Sequence, residues 1–385
     1  MSDEGTAANG RDSAAEGQDT AANDRGTTPT DSGASYAAAG VDIDAGERAV
    51  ELFAPHAKRA TRPEVLGGLG GFAGLFALKG NYREPVLAAS SDGVGTKLAV
   101  AQAVGKHDTV GQDLVAMCVD DLVVCGAEPL FLQDYIAIGK VIPEVVAEIV
   151  SGIADGCVAA GCALLGGETA EHPGLMLPDH YDLSATAVGI VENDELLSPE
   201  RVRAGDVVIA MGSSGLHSNG YSLARKVLLE WGHMDLGGHV EEFGRTLGEE
   251  LLEPTRIYAR DCLALAAETD VRIFAHITGG GLAENLARVI PDGLVAELER
   301  GTWTPAPIFA LISQRGRVEQ AEMERTFNMG VGMVAIVAPE DTDRALAVLT
   351  ARHVDSWVLG SIKRSPEPKN HGVGKVTVVG EHPRF

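Results

Sequence analysis

The sequence predicts an α/β (α+β) protein built in two parts, and three observations carry that expectation. Its 385 residues exceed one ordinary core and suit two domains of about 150 to 200 residues each. Short β-branched or aliphatic runs alternate with segments of helical periodicity. Each half also carries a strand that runs into a glycine-rich turn and then a helix. Hydrophobic residues at 45% and charged residues at 22% are ordinary globular values, so the core needs neither disulfides nor a structural metal.

Residues 1–34 hold seven acids, no aromatic residue and no large aliphatic one beyond Met1, and read as a disordered acidic tail. Order is expected to begin at 35, where Tyr36, Val41 and Ile43 lead through a capping-type acid into a short helical pattern. Strands are predicted at 85–90, 130–139, 181–191, 206–212, 272–278, 333–338 and 356–362. The segment 163–174 is expected to end a strand in Gly166-Gly167-Glu168-Thr169. The stretch 108–128 is apolar nearly all round and predicts a buried helix, whereas 145–161 and 221–230 show the stripe of half-buried ones. The polar, proline-containing stretch 193–205 is the linker candidate. It sets expected domains at 35–203 and 204–385.

A formal net charge of -24 excludes a surface devoted to nucleic-acid phosphates or anionic lipid, which need clustered Lys and Arg. An anionic small substrate remains compatible, because a few N–H groups or a metal ion reverse the sign locally. Five cysteines form no C-x-x-C pair, and their odd number suits a reducing compartment. With no export pattern and no run of 18 apolar residues, the expected location is cytoplasmic, with no membrane partner.

Four stretches hold residues suited to chemistry. "SSDGVGTKLAV" (90–100) fails as a phosphate loop of the Walker type, since Thr96 precedes Lys97 and Gly93-x-Gly95 stands directly before them. It still offers Asp92 at a strand end, the N–H groups of Gly93 and Gly95, and a lysine, so it reads either as a polyphosphate site with Mg²⁺ on Asp92 or as an Asp-Gly turn. "LGGLGGFAGLF" (66–76) has the G-x-G-x-x-A spacing of a dinucleotide fold, but no strand is expected before it. A flap carrying Gly68, Gly70 and Gly71 fits better than that fold, and a plain loop fits as well. The predicted buried helix carries Asp120 and Asp121, about 100° apart around its axis, so at most one need face a site; an ion pair with an arginine is the alternative use. Glu168 follows Gly166 and Gly167, where a backbone approaches a ligand closely. In the second half, His217, Ser218 and Asn219 stand in a strand–turn–helix unit that suits an anion, and Thr278, Gly279 and Gly280 repeat the plan.

Taken in order, "AGVDIDAGE", "GGLGGF", "SDGVGTKL", "DLVAMCVDDLVVCGAEPLF", "GGETAEHPG", "GSSGLHSNGYSL", "PTRIYA", "HITGGGLAENL" and "RTFNMGVGM" resemble the aminoimidazole ribonucleotide synthetase (phosphoribosylformylglycinamidine cyclo-ligase) family from about residue 35 to 364. The resemblance implies ATP-dependent closure of formylglycinamidine ribonucleotide to 5-aminoimidazole ribonucleotide, with ADP and phosphate released. It implies ATP and Mg²⁺ as cofactors, with Asp92 and Asp121 as metal ligands and Glu168 as a weaker one. Gly93, Gly95, Thr96 and Lys97 would lie near the phosphates, and the flap at 67–74 would close over them. His217 would act as proton donor or oxyanion stabiliser, and Ser218, Asn219 and Thr278 to Gly280 would hold substrate phosphate. A two-domain fold follows, with N-terminal strands forming a barrel across a homodimer. Asn commonly stands where this chain has Asp120, which favours Asp121 as the ligand, and threonine commonly stands where it has Ser90 or Ser91. Rival readings are a thiamine-monophosphate kinase-like enzyme of the same superfamily, which lacks "HSNGYSL" with "HITGGG", and a non-catalytic ATP-binding scaffold.

Overall fold

The structure, a computed structural model, describes residues 35–68, 70–366, 372 and 374–383. The acidic stretch 1–34 lies outside them. Helix α1 (Ile43–Arg59) starts where the Asp42 carboxylate accepts the Ala45 N–H at 3.1 Å, satisfying one of the helix's free donors. Two short strands, β1 (Val65–Leu66) and β2 (Leu75–Phe76), then pair antiparallel. A strand therefore does precede the glycine-rich stretch, contrary to expectation. That stretch is the loop of a hairpin.

Strands β3 (Pro85–Gly93), β4 (Glu128–Ile138), β5 (Ala163–Glu171) and β6 (Tyr181–Glu192) form a sheet in the order β3-β6-β4-β5. β5 runs through its glycines to Glu171, and the Asp134 carboxyl on β4 packs against Gly167, where a Cβ would stand 2.2 Å from Asp134 Oδ1. After α2 (Leu98–Val104), helix α3 (Asp108–Val123) packs between this sheet and α4 (Pro143–Ala160), which explains its all-round burial. The two helices touch through glycine: a Cβ on Gly152 would lie 1.7 Å from the Asp108 carbonyl oxygen, so any side chain there would force them apart.

The second sheet takes β7 (Val207–Gly212), β10 (Val271–His276), β11 (Leu294–Glu299), β12 (Val331–Val337), β13 (Ser356–Arg364) and β14 (Lys375–Val379), in the order β10-β12-β7-β13-β11-β14. Between β7 and β10 lie α5 (Tyr221–Arg225), the hairpin β8 (His239–Val240) and β9 (Arg245–Thr246), then α6 (Leu247–Leu251) and α7 (Ala259–Glu268). Helix α8 (Gly281–Ala287) follows β10. The edge pair β11 and β14 was not expected. "VAELER" is made of good helix formers, and sheet pairing on both sides overrides that weak local preference. One hydrophobic cluster runs from Leu114 on α3 to Phe274 on β10, so the two sheets share a core.

Candidate active site

The end of β3, the last turn of α3 and the end of β10 meet at one place. Asp92 terminates the sheet-facing row of β3 and turns back on its own loop, Oδ1 accepting the Gly93 N–H at 2.7 Å. Asp121 on α3 accepts from His276 at 2.9 Å and from the Ser90 hydroxyl at 3.3 Å. Burial lifts the Asp92 carboxyl above its ordinary value, the Gly93 N–H opposes the rise, and the Asp121 charge adds to it. Burial penalises Asp121 most, but the hydrogen bond and charge of His276, with the Ser90 hydroxyl and the Arg288 charge, together outweigh it and hold this carboxylate below its usual value. His276 shows the converse: burial disfavours its cation, yet Asp121, then Asp120 and Asp92, raise its pKa. Its Nε2 is buried with no hydrogen-bond partner among the described residues.

Asp120 belongs elsewhere. It is fully buried, and its Oδ1 accepts the Tyr258 N–H at 2.9 Å, at the start of α7. Burial pushes its carboxyl up to about 7. Of the two adjacent acids, Asp121 faces the junction with its side chain 43% exposed, and its partner is a histidine rather than an arginine. Sequence reasoning did not single out His276. The available signal was its position directly before Ile-Thr-Gly-Gly-Gly, at the end of a strand aimed at the turn already suspected.

Lys97 requires a correction. It was expected beside the phosphates, yet its side chain is completely enclosed. Its ammonium donates to Asp113 Oδ1 at 2.8 Å, the His217 carbonyl at 3.0 Å and the Glu253 carbonyl at 2.7 Å. Those three bonds use all its donors. Asp113 Oδ1 also accepts the Thr255 N–H at 2.7 Å and hydroxyl at 2.6 Å, while Oδ2 lies 2.8 Å from the ammonium. Burial lowers the Lys97 pKa while the Asp113 charge opposes the drop. This cluster joins the two halves and leaves the lysine nothing to offer a phosphate.

His217 sits at φ 61° in the loop after β7 and is buried. Its Nε2 accepts the Ser214 N–H at 3.1 Å, while Nδ1 is buried without a partner among the described residues. Burial, then the charges of His276 and Lys97, keep its pKa well below the ordinary value, so the ring here is a neutral hydrogen-bonding group. It fits only because residue 332 is glycine, whose Cβ would meet His217 Cε1 at 2.5 Å. Ser218, expected on substrate phosphate, turns inward, its hydroxyl 3.0 Å from that of Thr255. Asn219 reaches the second glycine turn, where a Cβ on Gly279 would be 3.4 Å from its Oδ1. Asn285 on α8 donates to the carbonyls of Thr278, Gly279 and Gly281 and so fixes the turn that contains Gly280. Thr96 lies across from this region, its hydroxyl 3.1 Å from that of Ser222.

Glu168 stands apart from the acid pair. β5 is three strand positions from β3, about 14 Å at ordinary spacing. Its carboxylate accepts the Thr169 N–H at 3.1 Å and lines a cavity with Gly68, Gly70 and Gly71 of the flap. Among the described residues no three His, Cys, Asp or Glu converge as a metal-binding group. The expected trio is thus not gathered within the chain. A pair of hard carboxylates does fit Mg²⁺, which takes one or two protein carboxylates and completes its shell with water and substrate phosphates.

Two packed α/β halves, with an acid pair at their junction, define the class of AIR synthase related proteins. The N-terminal domain model of that class matches residues 73–191 and the C-terminal domain model residues 203–371. A phosphoribosylformylglycinamidine cyclo-ligase of Anaeromyxobacter sp. (strain Fw109-5) is 56% identical over 335 residues, 86% of this chain and 96% of the relative. That of Geobacillus kaustophilus (strain HTA426) is 48% identical over 342 residues, 89% of this chain and 99% of the relative. The chain belongs to the phosphoribosylformylglycinamidine cyclo-ligase family. The fold is shared more widely. A thiamine-monophosphate kinase from Stenotrophomonas maltophilia K279a superposes with TM-score 0.63 at 19% identity, covering 85% of this chain and 95% of that one. A hydrogenase maturation protein solved in complex with ATP gives TM-score 0.57 at 19% identity, covering 83% and 87%.

Proposed function

We propose that this chain closes the imidazole ring of 5-aminoimidazole ribonucleotide from formylglycinamidine ribonucleotide, at the expense of ATP, in purine biosynthesis. The observation that carries the site assignment is the junction where His276, from the second sheet, holds Asp121 beside Asp92 of the first. The γ-phosphoryl group moves from ATP to the formyl amide oxygen, so the terminal P–O bond breaks and ADP leaves. The amidine nitrogen then attacks the formyl carbon, the C–O bond breaks, phosphate departs and the attacking nitrogen loses a proton. Little of this needs a protein nucleophile; positioning and charge neutralisation do most of it.

Mg²⁺, held by Asp92 and Asp121, would neutralise charge on the transferring group. Gly93, Gly95 and Thr96 flank the triphosphate, and Gly68, Gly70 and Gly71 cover it. Asn219 and the turn at Thr278 to Gly280 seat the ribose phosphate, and the His217 ring hydrogen-bonds the reacting amide. The functional division at 203/204 falls between β6 and β7. A homodimer in which the first sheets close a barrel suits the outer face of that sheet, where Ser91, Thr186, Gln133, Ser184 and Tyr135 share two rows and are exposed. No helix among the described residues is long and apolar enough to cross a membrane, in keeping with a cytoplasmic setting.

Incubating the protein with formylglycinamidine ribonucleotide and Mg-ATP should yield a diazotisable amine and one phosphate per turnover. Folded protein that binds Mg-ATP yet gives neither product would be the silent scaffold instead.

A further inference from the structure

Away from the acid pair, a cleft of about 760 Å³ runs between the two halves, within the range of small-molecule sites. Val104 at the end of α2 and Thr109 in the first turn of α3 form one wall. Leu229 of the helical turn Lys226–Trp231, with Met234 and Leu252, forms the other. Asp235, Glu249 and Glu253 add three carboxylates to the lining, against the cations Lys106 and Arg245. Both cations are already engaged. Lys106 pairs with Asp108 at 2.8 Å, and Arg245 pairs with Glu250 at 2.6 Å and with Glu253. Acceptors are left over: among the described residues Asp235 takes only the Gly237 N–H, at 3.0 Å, and Glu249 takes both Thr246 donors on one oxygen. The Thr109 hydroxyl stands alone. The residue is 7% exposed, and its oxygen is buried without a hydrogen-bond partner among the described residues. A buried hydroxyl in that state is costly until a ligand supplies the partner.

We propose that this cleft binds a linear aliphatic polyamine, its methylene stem along Val104, Leu229 and Leu252 and its ammonium groups on Asp235, Glu253 and the Thr109 hydroxyl oxygen. An ammonium group carries donors and no acceptor, which matches a lining whose unused groups are acceptors. A methylene chain between ammonium groups matches apolar walls between carboxylates, much as a lysine stem covers apolar surface with its charge at the end. The formal net charge of -24 concentrates such a cation near the protein. A bare metal ion would meet the carboxylates and leave the apolar walls uncovered. The floor of the cleft also reaches the rest of the molecule. The carbonyls of Glu253 and Pro254 accept from Lys97 at 2.7 Å and from the Ser214 hydroxyl at 2.6 Å, so a ligand there rests on the segment that ties the halves together. None of this depends on the cyclo-ligase reading.

Equilibrium dialysis of labelled spermidine against the full chain tests the proposal. A single molecule per chain should bind, Mg²⁺ at the same concentration should not displace it, and the urea midpoint should rise as the cleft fills. Hexylamine, which has a comparable stem and one ammonium group, should bind at least about 10-fold more weakly. Asp235→Asn should weaken spermidine about 10-fold, near 1.4 kcal/mol. Thr109→Val keeps the shape and removes the orphaned hydroxyl, so it should weaken binding at least about 3-fold while the urea midpoint without ligand holds or rises. Glu340→Gln removes the same charge from an exposed position outside the cleft and should change affinity by less than about 2-fold. Displacement by Mg²⁺, or equal losses in Asp235→Asn and Glu340→Gln, would reduce the binding to counterion attraction and overturn the proposal. Spermidine affinity untouched in folded Thr109→Val would overturn it as well.

Discussion

Two charged clusters join the halves of this molecule, and they differ in one respect. Around Lys97 the charges are paired: the ammonium uses all three donors, Thr255 donates twice onto Asp113 Oδ1, and Asp113 Oδ2, which makes no hydrogen bond among the described residues, lies 2.8 Å from the ammonium. Around Asp121 the pairing stops short. His276 Nε2, Asp120 Oδ2 and His217 Nδ1 are buried without partners among the described residues, and Asp92 feels the charge of a second carboxylate, Asp121. A saturated cluster holds a fold together and has nothing left for a ligand. An unsaturated one at a junction costs stability and keeps donors and acceptors free for a ligand.

The sharpest way to break this contrast is Lys97→Met. It leaves Asp113 buried with no cation, which should cost about 3–5 kcal/mol and lower the urea midpoint strongly. A variant that stays as stable as the wild type but loses ATP turnover would restore the lysine to the phosphates. Next in size is Asp121→Asn. Turnover should fall at least about 100-fold, near 2.7 kcal/mol of transition-state stabilisation, while the urea midpoint barely moves. Loss of folding in place of activity would make the acid pair structural as well.

The same contrast marks what the sequence could reveal. The acids Asp92 and Asp121 were legible because a carboxylate at a strand end, and another in an apolar helix, are costly without a purpose. Helical spacing put Asp120 and Asp121 on different faces, and the choice of Asp121 came from the family resemblance. The role of Lys97 was illegible: a lysine after glycine and threonine looks the same whether it meets a phosphate or a core. What decides it is Asp113, one helix further on, and the Glu253 carbonyl, 156 residues away. His276 was hidden for the same reason, since its partner lies 155 residues earlier. Among the strands that escaped notice, β11 and β14 lie together at one end of the second sheet, and their identity comes from their neighbours.

A smaller effect separates Asp120 from its neighbour. Its folded pKa of about 7 lies above the ordinary 3.8, so the fold prefers the protonated form. The stability this gives is fully present below about pH 4 and is lost as pH rises through about 7. His276, also raised, contributes in the same direction at higher pH. Asp120→Asn should therefore flatten the decline between pH 4 and 7 in urea titrations and leave turnover within a few-fold. A slope identical to the wild type would mean that Asp120 is charged throughout. A collapse of activity would mean that it, and not Asp121, serves the metal.

The smallest expected effect tests the rim of the open cluster. Ser90 gives Asp121 a long hydrogen bond of 3.3 Å from an exposed position, so it competes with water and adds little to the stronger contact from His276. Ser90→Ala should cost about 0.5 kcal/mol and slow turnover two- to three-fold or so, mostly through a weaker response to Mg²⁺. Ser90→Thr keeps the hydroxyl and should behave as the wild type. If Ser90→Ala instead matched the loss in Asp121→Asn, orientation of the carboxylate would rest on the strand rather than on His276. The two halves of the molecule would then be coupled only through the saturated cluster.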